Sequence, residues 1–259
     1  MREWLAEIWR SREILFFLAW RDIKVRYKQA ALGVAWAVLQ PLFTMVTFTF
    51  FFGRLAHIPS GGAPYPLFSF SALLLWTYFA VTLAQVGNSL ISNASLITKI
   101  YFPRVLLPGA AALGGLLDLL VGSVLLIGMM IYYRVTPQWM LLLTPLFVIQ
   151  TALLVMGVGM LLAALNVRYR DVKYTIPFLT QIGLFVTPII YPVSFLPQRY
   201  QWLLALNPMA GIIEGFRGCL LGTPVDWGLV GCSWAATLLL LLLGGLHFRS
   251  TERVFADIV

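Results

Sequence analysis

The chain has 259 residues, of which 60% are hydrophobic and only 11% carry a charge. Runs of about 20 apolar residues recur along it, and this is the length that a helix needs to cross roughly 30 Å of hydrocarbon. A soluble protein is therefore excluded, and we expect one integral membrane domain that covers residues 1–259.

The formal net charge of +8 could indicate a nucleic-acid partner, but the basic residues do not form one soluble face. They cluster at the ends of apolar runs, as the positive-inside rule predicts for cytoplasmic flanks. This arrangement favours anionic lipid headgroups as partners, and we expect no nucleic acid.

The chain begins with a basic flank, residues 1–28, whose spacing predicts an amphipathic helix in the membrane interface. Its apolar face would hold Phe16, Trp20, Ile23 and Tyr27, and its basic face Arg21, Lys24 and Lys28. The alternative is a topology signal with no further role. In either case the positive charge predicts a cytoplasmic N-terminus.

Six membrane spans follow in the hydropathy pattern. Their approximate bounds are 32–52, 65–91, 105–133, 140–165, 175–190 and 228–247. Gln40–Pro41 lies near the middle of the first span and predicts a kink, because proline removes a backbone hydrogen bond. With six spans the C-terminus is cytoplasmic, and every basic cluster lies on that side.

Residues 191–227 do not contain a stretch of spanning length. Prolines break the region, and two apolar pieces, 202–206 and 209–221, are separated by Asn207–Pro208. Segments this short are typical of re-entrant or interfacial helices. We expect both pieces on the external side, before the last span.

Residues 93–104, between the second and third spans, are predicted to be cytoplasmic. Asn93 or Ser95 is expected to cap a short helix that Pro103 ends. The segment carries more apolar side chains than a solvated loop needs, which favours a docking surface over packing on lipid headgroups. The residues predicted to form this surface are Leu96, Lys99, Ile100, Tyr101, Phe102 and Arg104.

Three ionisable residues fall inside the apolar sequence. Asp118 lies in the third span and is a candidate functional group, because a carboxylate in a membrane is costly. A polar cap or a hydrogen bond between helices is an equal alternative. Glu214 and Arg217 stand at i and i+3, a spacing that predicts pairing with each other.

No motif in the chain supplies a catalytic centre or an energy source. A Walker A pattern is absent because none of the four lysines follows a glycine, and no H-E-x-x-H or G-x-S-x-G occurs. Cysteine and histidine pairs lack metal-ligand spacing. We therefore expect no catalytic residue, no metal site and no cofactor in this chain, and we expect the energy to come from elsewhere.

Five stretches of the chain together form a specific pattern. They are Arg21–Tyr27 with Leu32–Gly33, Trp36 and Pro41; Leu96–Pro108; Asn166–Val172; Thr187–Pro192; and Asn207–Met209 with Glu214–Arg217. In content and order, these stretches resemble the type-2 ABC exporter permeases that move polysaccharides.

The resemblance implies an all-α integral membrane fold with six transmembrane helices. The same resemblance implies an N-terminal interfacial helix, a coupling helix at 93–104 and re-entrant helices before the last span. It also implies a homodimer in the bacterial cytoplasmic membrane with two ATP-binding cassette subunits, which would hold ATP and magnesium.

The substrates that the resemblance implies are lipid-linked glycans. O-antigen on polyprenyl pyrophosphate is the leading expectation, and capsule, teichoic acid, another lipid or a drug are alternatives. A membrane enzyme acting on polyprenyl phosphates is disfavoured, because the inside loops offer only Asp171 besides terminal acids. A channel is disfavoured because no charged ring or filter motif appears.

Two stripes of aromatic and amide side chains share one helical spacing. The first stripe is Trp36, Gln40, Phe43 and Thr47; the second stripe is Tyr174, Phe178, Gln181 and Phe185. An unsatisfied amide in hydrocarbon costs several kcal/mol, so each stripe should face protein or a watery conduit. Aromatic rings with amides suit sugars, and the resemblance assigns both helices to the channel. The alternative is that the stripes only pack against neighbouring helices and that Gln40 and Gln181 form hydrogen bonds to those helices.

The N-terminal cations are candidates for the anionic headgroup of the substrate. Arg21, Lys24, Arg26 and Lys28 stand where the chain enters the membrane, and arginine binds phosphate oxygens bidentately. The alternative is attraction to bulk anionic lipid, at about 1 kcal/mol per charge.

Overall fold

The computed structural model describes residues 10–28, 35–136 and 138–252. Residues 1–9 of the predicted interfacial helix, Leu32–Gly33 and the start of the first predicted span lie outside these ranges. The helices are α1 (Arg12–Lys28), α2 (Ala35–Phe48), α3 (Tyr65–Ser92), α4 (Ala94–Lys99), α5 (Leu106–Tyr132), α6 (Thr144–Arg168), α7 (Val172–Val186), α8 (Gln198–Ala205), α9 (Pro208–Leu221) and α10 (Trp227–Thr251). The described residues contain no strand.

Five of these elements are long and apolar enough to cross a membrane. They are Ala35–Leu55, Tyr65–Ser92, Leu106–Tyr132, Trp139–Arg168 and Trp227–Thr251. The all-α membrane fold predicted from the sequence is therefore confirmed. The longest segments match their predicted bounds to within a few residues.

The fifth predicted span is short, as the sequence predicted, and begins three residues earlier than expected. It is α7, with 15 residues, so it is about 22 Å long at 1.5 Å per residue. The helix ends because Thr187 precedes Pro188 and adopts extended geometry, with φ −80° and ψ 142°. Proline disfavours the α conformation of the residue before it.

The first span continues past α2 as a π-helix, Thr49–Leu55. The apolar pattern predicted a span here but not this change in helical winding. Single turns of π-helix are uncommon and are frequent at functional sites.

Local sequence signals set the starts of the short and last helices. The Asn207 side chain accepts a hydrogen bond from the Met209 amide at 3.1 Å, which begins α9. The Asp226 carboxylate accepts from the Gly228 and Leu229 amides at 2.9 and 3.1 Å, which begins α10. Both are N-caps that satisfy otherwise unpaired N–H groups of a first helical turn.

The central helix of the bundle is α3, which packs against α2, α5, α6, α7 and α9. Its buried side chains include Leu67, Phe70 and Leu75, which are fully enclosed. A helix that is apolar on all sides is expected to be buried in this way. Helix α1 packs on α5, and α10 packs on α6 and α9, so these two helices lie outside the ring of helices in contact with α3.

Helices α6 and α10 approach each other through glycine. A Cβ atom at Gly157 would lie 2.6 Å from the backbone nitrogen of Leu241, and Gly244 faces the backbone of Gly157. Small residues allow this close backbone approach, which is a common basis of helix packing in membranes.

The bundle has two distinct ends. At the basic end, α3, α6 and α10 terminate next to α4, and Arg104 is bonded to Glu252 near the C-terminus of α10. At the loop end lie the connection 56–64 and residues 133–136 together with α8 and α9. Helix α9 is enclosed by α3, α6 and α10, so it lies inside the protein and not on an interfacial surface.

Helix α1 packs along α5 through Leu18 and Ala19, which are buried. Of the predicted apolar face, Phe16 and Trp20 are exposed and available to lipid, whereas Ile23 is half-buried and lies next to Gly114 of α5. The predicted face is thus divided between lipid and protein, because α1 has a helical neighbour that its own periodicity does not include.

Candidate functional site

Arg26, near the end of α1, is bonded to two other helices. One guanidinium nitrogen donates to the Asp118 carboxylate of α5 at 2.6 Å. A second nitrogen donates to the side-chain oxygen of Gln85 in α3, also at 2.6 Å. Asp118 therefore makes a polar link between helices, which was one of the two roles predicted for it. Arg26 has protein partners and is not a free cation facing lipid.

A cavity of about 210 Å³ lies beside this ion pair, between α1, α2, α3 and α5. We call it the Arg26 cavity. Its polar and aromatic lining residues are Arg26, Tyr27, Trp36, Gln40, Thr77, Tyr78, Thr82, Gln85 and Asp118. The cavity brings together one predicted headgroup residue, two residues of the first stripe and the intramembrane acid.

The other three predicted headgroup cations differ in their surroundings. Arg21 donates to Asp22 at 2.7 Å and to Asn93 at 2.6 Å, so it connects α1 to the end of α3. Lys24 lies 5.5 Å from the centre of the Trp20 ring, a cation–π contact. Lys24 and Lys28 are exposed at the basic end.

The predicted docking segment contains α4, a helix of six residues. Asn93 occupies the predicted N-cap position, but its side chain accepts from Arg21 and does not cap the helix. Tyr101 is 91% exposed and Ile100 is 57% exposed, as predicted. Lys99 is exposed too, and Leu96 is half-buried.

The prediction that Phe102 is exposed is wrong. Its side chain is only 8% exposed and belongs to a buried cluster with Ile97 and Leu106. The extended chain before Pro103 turns this ring inward, whereas Tyr101 points outward. Arg104 is half-buried and bonded to Glu252, so it ties the segment to α10.

Both aromatic stripes lie on the outer surface of the chain. All eight side chains of the two stripes are exposed. Neither the Gln40 nor the Gln181 side-chain amide has a hydrogen-bond partner within the described part of the chain, so these amides are not bonded to neighbouring helices as the packing alternative predicted. Because α2 and α7 both pack against α3, the stripes occupy surfaces on two neighbours of the same central helix.

The predicted pairing of Glu214 with Arg217 is absent, since neither residue takes part in an ion pair within 4.0 Å in the described ranges. Arg217 is 2% exposed and lies 3.6 Å over the Phe68 ring. One of its nitrogens donates to the Ile189 carbonyl at 3.1 Å. Tertiary contacts thus replace the local pair that the spacing predicted.

Comparison with known proteins identifies the family. The sequence profile of the ABC-2 type transporters matches residues 13–221. The chain belongs to the ABC-2 type transporter family. The match covers the helices that form the Arg26 cavity, both stripes and the docking segment.

Several characterised relatives span nearly the same length. The O-antigen export system permease protein RfbA of Klebsiella pneumoniae is 25% identical over 251 residues, which is 95% of each chain. RfbA of Myxococcus xanthus is 27% identical over 217 residues, or 82% of each chain. The polysialic acid transport protein KpsM of Escherichia coli is 23% identical over 240 residues, which is 90% of this chain and 91% of KpsM.

Sequence reasoning missed three side-chain partnerships that the site uses. Gln85 binds Arg26, Asn93 binds Arg21, and Glu252 binds Arg104. Gln85 had a detectable signal, because an amide in an apolar span needs a partner. The other two stand at helix ends, where polar residues are ordinary.

Proposed function

We propose that this chain is the permease subunit of an ATP-driven exporter of a lipid-linked polysaccharide, most specifically O-antigen on polyprenyl pyrophosphate. The observation that carries the proposal is the pair of exposed stripes on α2 and α7, each with an unpaired glutamine among aromatic rings. The names of the similar proteins from Klebsiella and Myxococcus support the substrate class.

The stripes need a polar environment on their outer side. An amide left unpaired in hydrocarbon costs several kcal/mol, so lipid alone is a poor neighbour for Gln40 and Gln181. A second copy of the chain, facing the first through these surfaces, would enclose them. The space between the copies would offer aromatic faces to sugar rings and amides to their hydroxyls.

The energy for transport comes from two separate ATP-binding cassette subunits, which hold ATP and magnesium. Residues 94–104 are their docking surface. Tyr101 and Ile100 supply exposed apolar area, with Lys99 beside them. Binding energy at protein interfaces is concentrated in such aromatic anchors, and the surrounding charges contribute less.

The chain resides in the bacterial cytoplasmic membrane with both termini inside. The basic end carries Lys24, Lys28, Lys99, Arg168, Arg170 and Lys173. Flanks rich in lysine and arginine stay on the cytoplasmic side. The docking surface then faces the compartment that supplies ATP.

The anionic headgroup of the substrate meets the cations that remain exposed. Of the four predicted headgroup cations, Arg21 and Arg26 are held by protein partners, so Lys24 and Lys28 are the two that remain available to a pyrophosphate. A lysine ammonium attracts phosphate as a point charge, without the bidentate geometry of arginine.

Capsule export is the second candidate, and one observation favours it. KpsM, whose name assigns it to polysialic acid transport, matches 90% of the chain. Both candidates require a polysaccharide route, and they differ in the glycan that the cell displays.

Depletion of the chain in its own host tests the proposed function. Surface O-antigen should disappear, and its lipid-linked form should accumulate on the cytoplasmic side of the membrane. Loss of capsule with normal O-antigen would select the second candidate. Unchanged surface glycans of every class would contradict polysaccharide export.

A further inference from the structure

A second cavity, a groove of about 540 Å³, lies between the first span and α5 near the loop end of the bundle. We call it the Arg54 groove. Its lining includes Leu42, Thr49 and Arg54 of the first span and Leu125, Gly128 and Tyr132 of α5. Its volume falls within the roughly 300–1,000 Å³ that is typical of ligand sites in proteins.

The polar and apolar residues of the Arg54 groove lie at opposite ends. Arg54 and Tyr132 stand close to the connections of the loop end, whereas Leu42 and Leu125 lie deeper in their helices. Helix α5 rises about 12 Å from Leu125 to Tyr133, which is most of one leaflet of a hydrocarbon core roughly 30 Å thick. The groove therefore has the length and the change in polarity of one lipid acyl chain below its headgroup.

The π-helix places Arg54 on the groove side of the first span. Backbone hydrogen bonds in a π-helix join residues five apart, so Thr49 and Arg54 lie on the same side of the segment Thr49–Leu55. In an α-helix these two residues would be separated by about 140° around the axis. The unusual winding therefore directs Arg54 toward the groove that Thr49 also lines.

The Arg54 guanidinium is accessible to a ligand. The side chain is exposed, and no hydrogen bond or ion pair joins it to another residue in the described ranges. Tyr132, which lines the same groove, is also exposed. Tyrosines at the ends of membrane spans mark the level of the lipid headgroups. Arg54 thus stands near the depth of the lipid phosphates, whose oxygens arginine binds with two N–H groups.

The groove is open and does not lie on the same face of α2 as the first stripe. A Cβ atom at Gly128 would meet no atom of another described element within 4 Å, so the missing side chain leaves space in the groove wall. Leu42 and Met45 lie roughly 130–170° around α2 from the centre of the first stripe. A second copy that encloses the stripes would therefore leave the Arg54 groove facing lipid.

We propose that the Arg54 groove binds one anionic phospholipid, with its phosphate on Arg54 and one acyl chain along Leu42, Leu125 and Gly128. Phosphatidylglycerol fits because its headgroup carries only negative charge. Phosphatidylethanolamine would bring an ammonium group, and none of the described lining residues is acidic. The inference goes beyond the proposed function and does not depend on the transported substrate.

Native mass spectrometry of the purified full chain, with dioleoyl-phosphatidylglycerol added to the detergent, tests the headgroup contact. Arg54→Gln should weaken binding of this lipid about tenfold, the effect of losing a hydrogen bond to a charged group. Arg199→Gln changes an exposed arginine that does not line the groove, and it should bind as the wild type does. The wild type should bind dioleoyl-phosphatidylethanolamine severalfold more weakly. Equal binding of both lipids, or equal losses in the two arginine variants, would overturn the proposal.

A second pair of variants tests the groove itself. Gly128→Leu fills the open space and retains Arg54, so binding of phosphatidylglycerol should fall at least about tenfold. Gly231→Leu is the matched control, because Gly231 of α10 also faces open space but does not line the groove. Its binding should equal that of the wild type. Unchanged binding by Gly128→Leu would show that Arg54 attracts lipid without the groove, and it would overturn the proposal.

Thermal unfolding without added lipid separates binding from folding. Arg54→Gln and Gly128→Leu should unfold at the wild-type temperature, because the Arg54 side chain has no partner in the described ranges and Gly128 faces open space. A lower unfolding temperature for Arg54→Gln would show that its guanidinium binds protein and would overturn the proposal.

The same mass spectra distinguish the phospholipid from other occupants. A lower oligomeric state of Gly128→Leu than of the wild type would assign the groove to a second copy of the chain. Tighter binding of a polyprenyl phosphate than of phosphatidylglycerol would assign it to a lipid carrier. Either result would overturn the phospholipid site, and neither would contradict polysaccharide export.

Discussion

The role of Arg26 illustrates how a single residue is determined by distant partners. In the sequence it belongs to a basic cluster, and the pattern supports contact with phosphate. In the structure it bonds Asp118, 92 positions away, and Gln85, 59 positions away. No local spacing encodes contacts at that separation. The sequence could identify Arg26 and Asp118 as unusual residues, but it could not join them.

Arg26→Ala should lower the free energy of unfolding by about 1–3 kcal/mol, because it leaves the Asp118 carboxylate without its charged partner. Adding Asp118→Asn should recover part of that loss, since an amide is less costly to leave unpaired than a carboxylate. Thermal unfolding of the purified variants checks both statements. Independent, additive losses in the double variant would contradict the pairing.

The docking segment gives a sharp test with two adjacent aromatic residues. Tyr101→Ala should leave the unfolding temperature unchanged, because the ring is 91% exposed, and should weaken co-purification of the ATP-binding subunit. Phe102→Ala should instead destabilise the chain by about 3–5 kcal/mol, since it removes a buried ring. Destabilisation by Tyr101→Ala, with Phe102→Ala stable but weaker in binding the ATP-binding subunit, would contradict the docking surface.

The contact between α6 and α10 depends on a missing side chain. Gly157→Ala should destabilise the bundle, because the new Cβ would lie 2.6 Å from the backbone of α10 and the helices would have to separate. Gly128→Ala is the matched control, since no atom of a neighbouring helix in the described ranges lies within 4 Å of its Cβ position. That control should be neutral or stabilising by up to about 1 kcal/mol. Unfolding temperatures of the two variants provide the comparison; equal values would contradict close α6–α10 packing.

Helices were predictable where a strong local signal sets them. Long apolar runs determine α3, α5 and α10, and side-chain caps at Asn207 and Asp226 mark the starts of α9 and α10. The π-helix of residues 49–55 was not predictable, because apolar composition does not distinguish helical windings. The inward ring of Phe102 was also missed, since it depends on the cluster that α5 and α10 form around it.

At the scale of the whole molecule, composition and charge distribution were sufficient to predict an all-α membrane protein. The resemblance of five stretches indicated the family, and the profile match shows it. The stripes were also identified from spacing alone, and the structure shows that they are exposed on α2 and α7, which both pack against α3. How the two stripes would contact a second copy of the protein could not be predicted from a single chain, because both surfaces face outward.

The central claim is that glycan moves along these two stripes, and the rate of surface glycan export measures it most directly. Phe178→Ala in the second stripe should lower that rate severalfold, because it removes an exposed ring on which, under this proposal, the sugar would stack. Leu179→Ala, at the adjacent and equally apolar exposed position on α7, should leave export unchanged. Both variants should remain folded and bound to the ATP-binding subunit. Normal export by Phe178→Ala, or an equal loss in Leu179→Ala, would contradict a glycan route along the stripes.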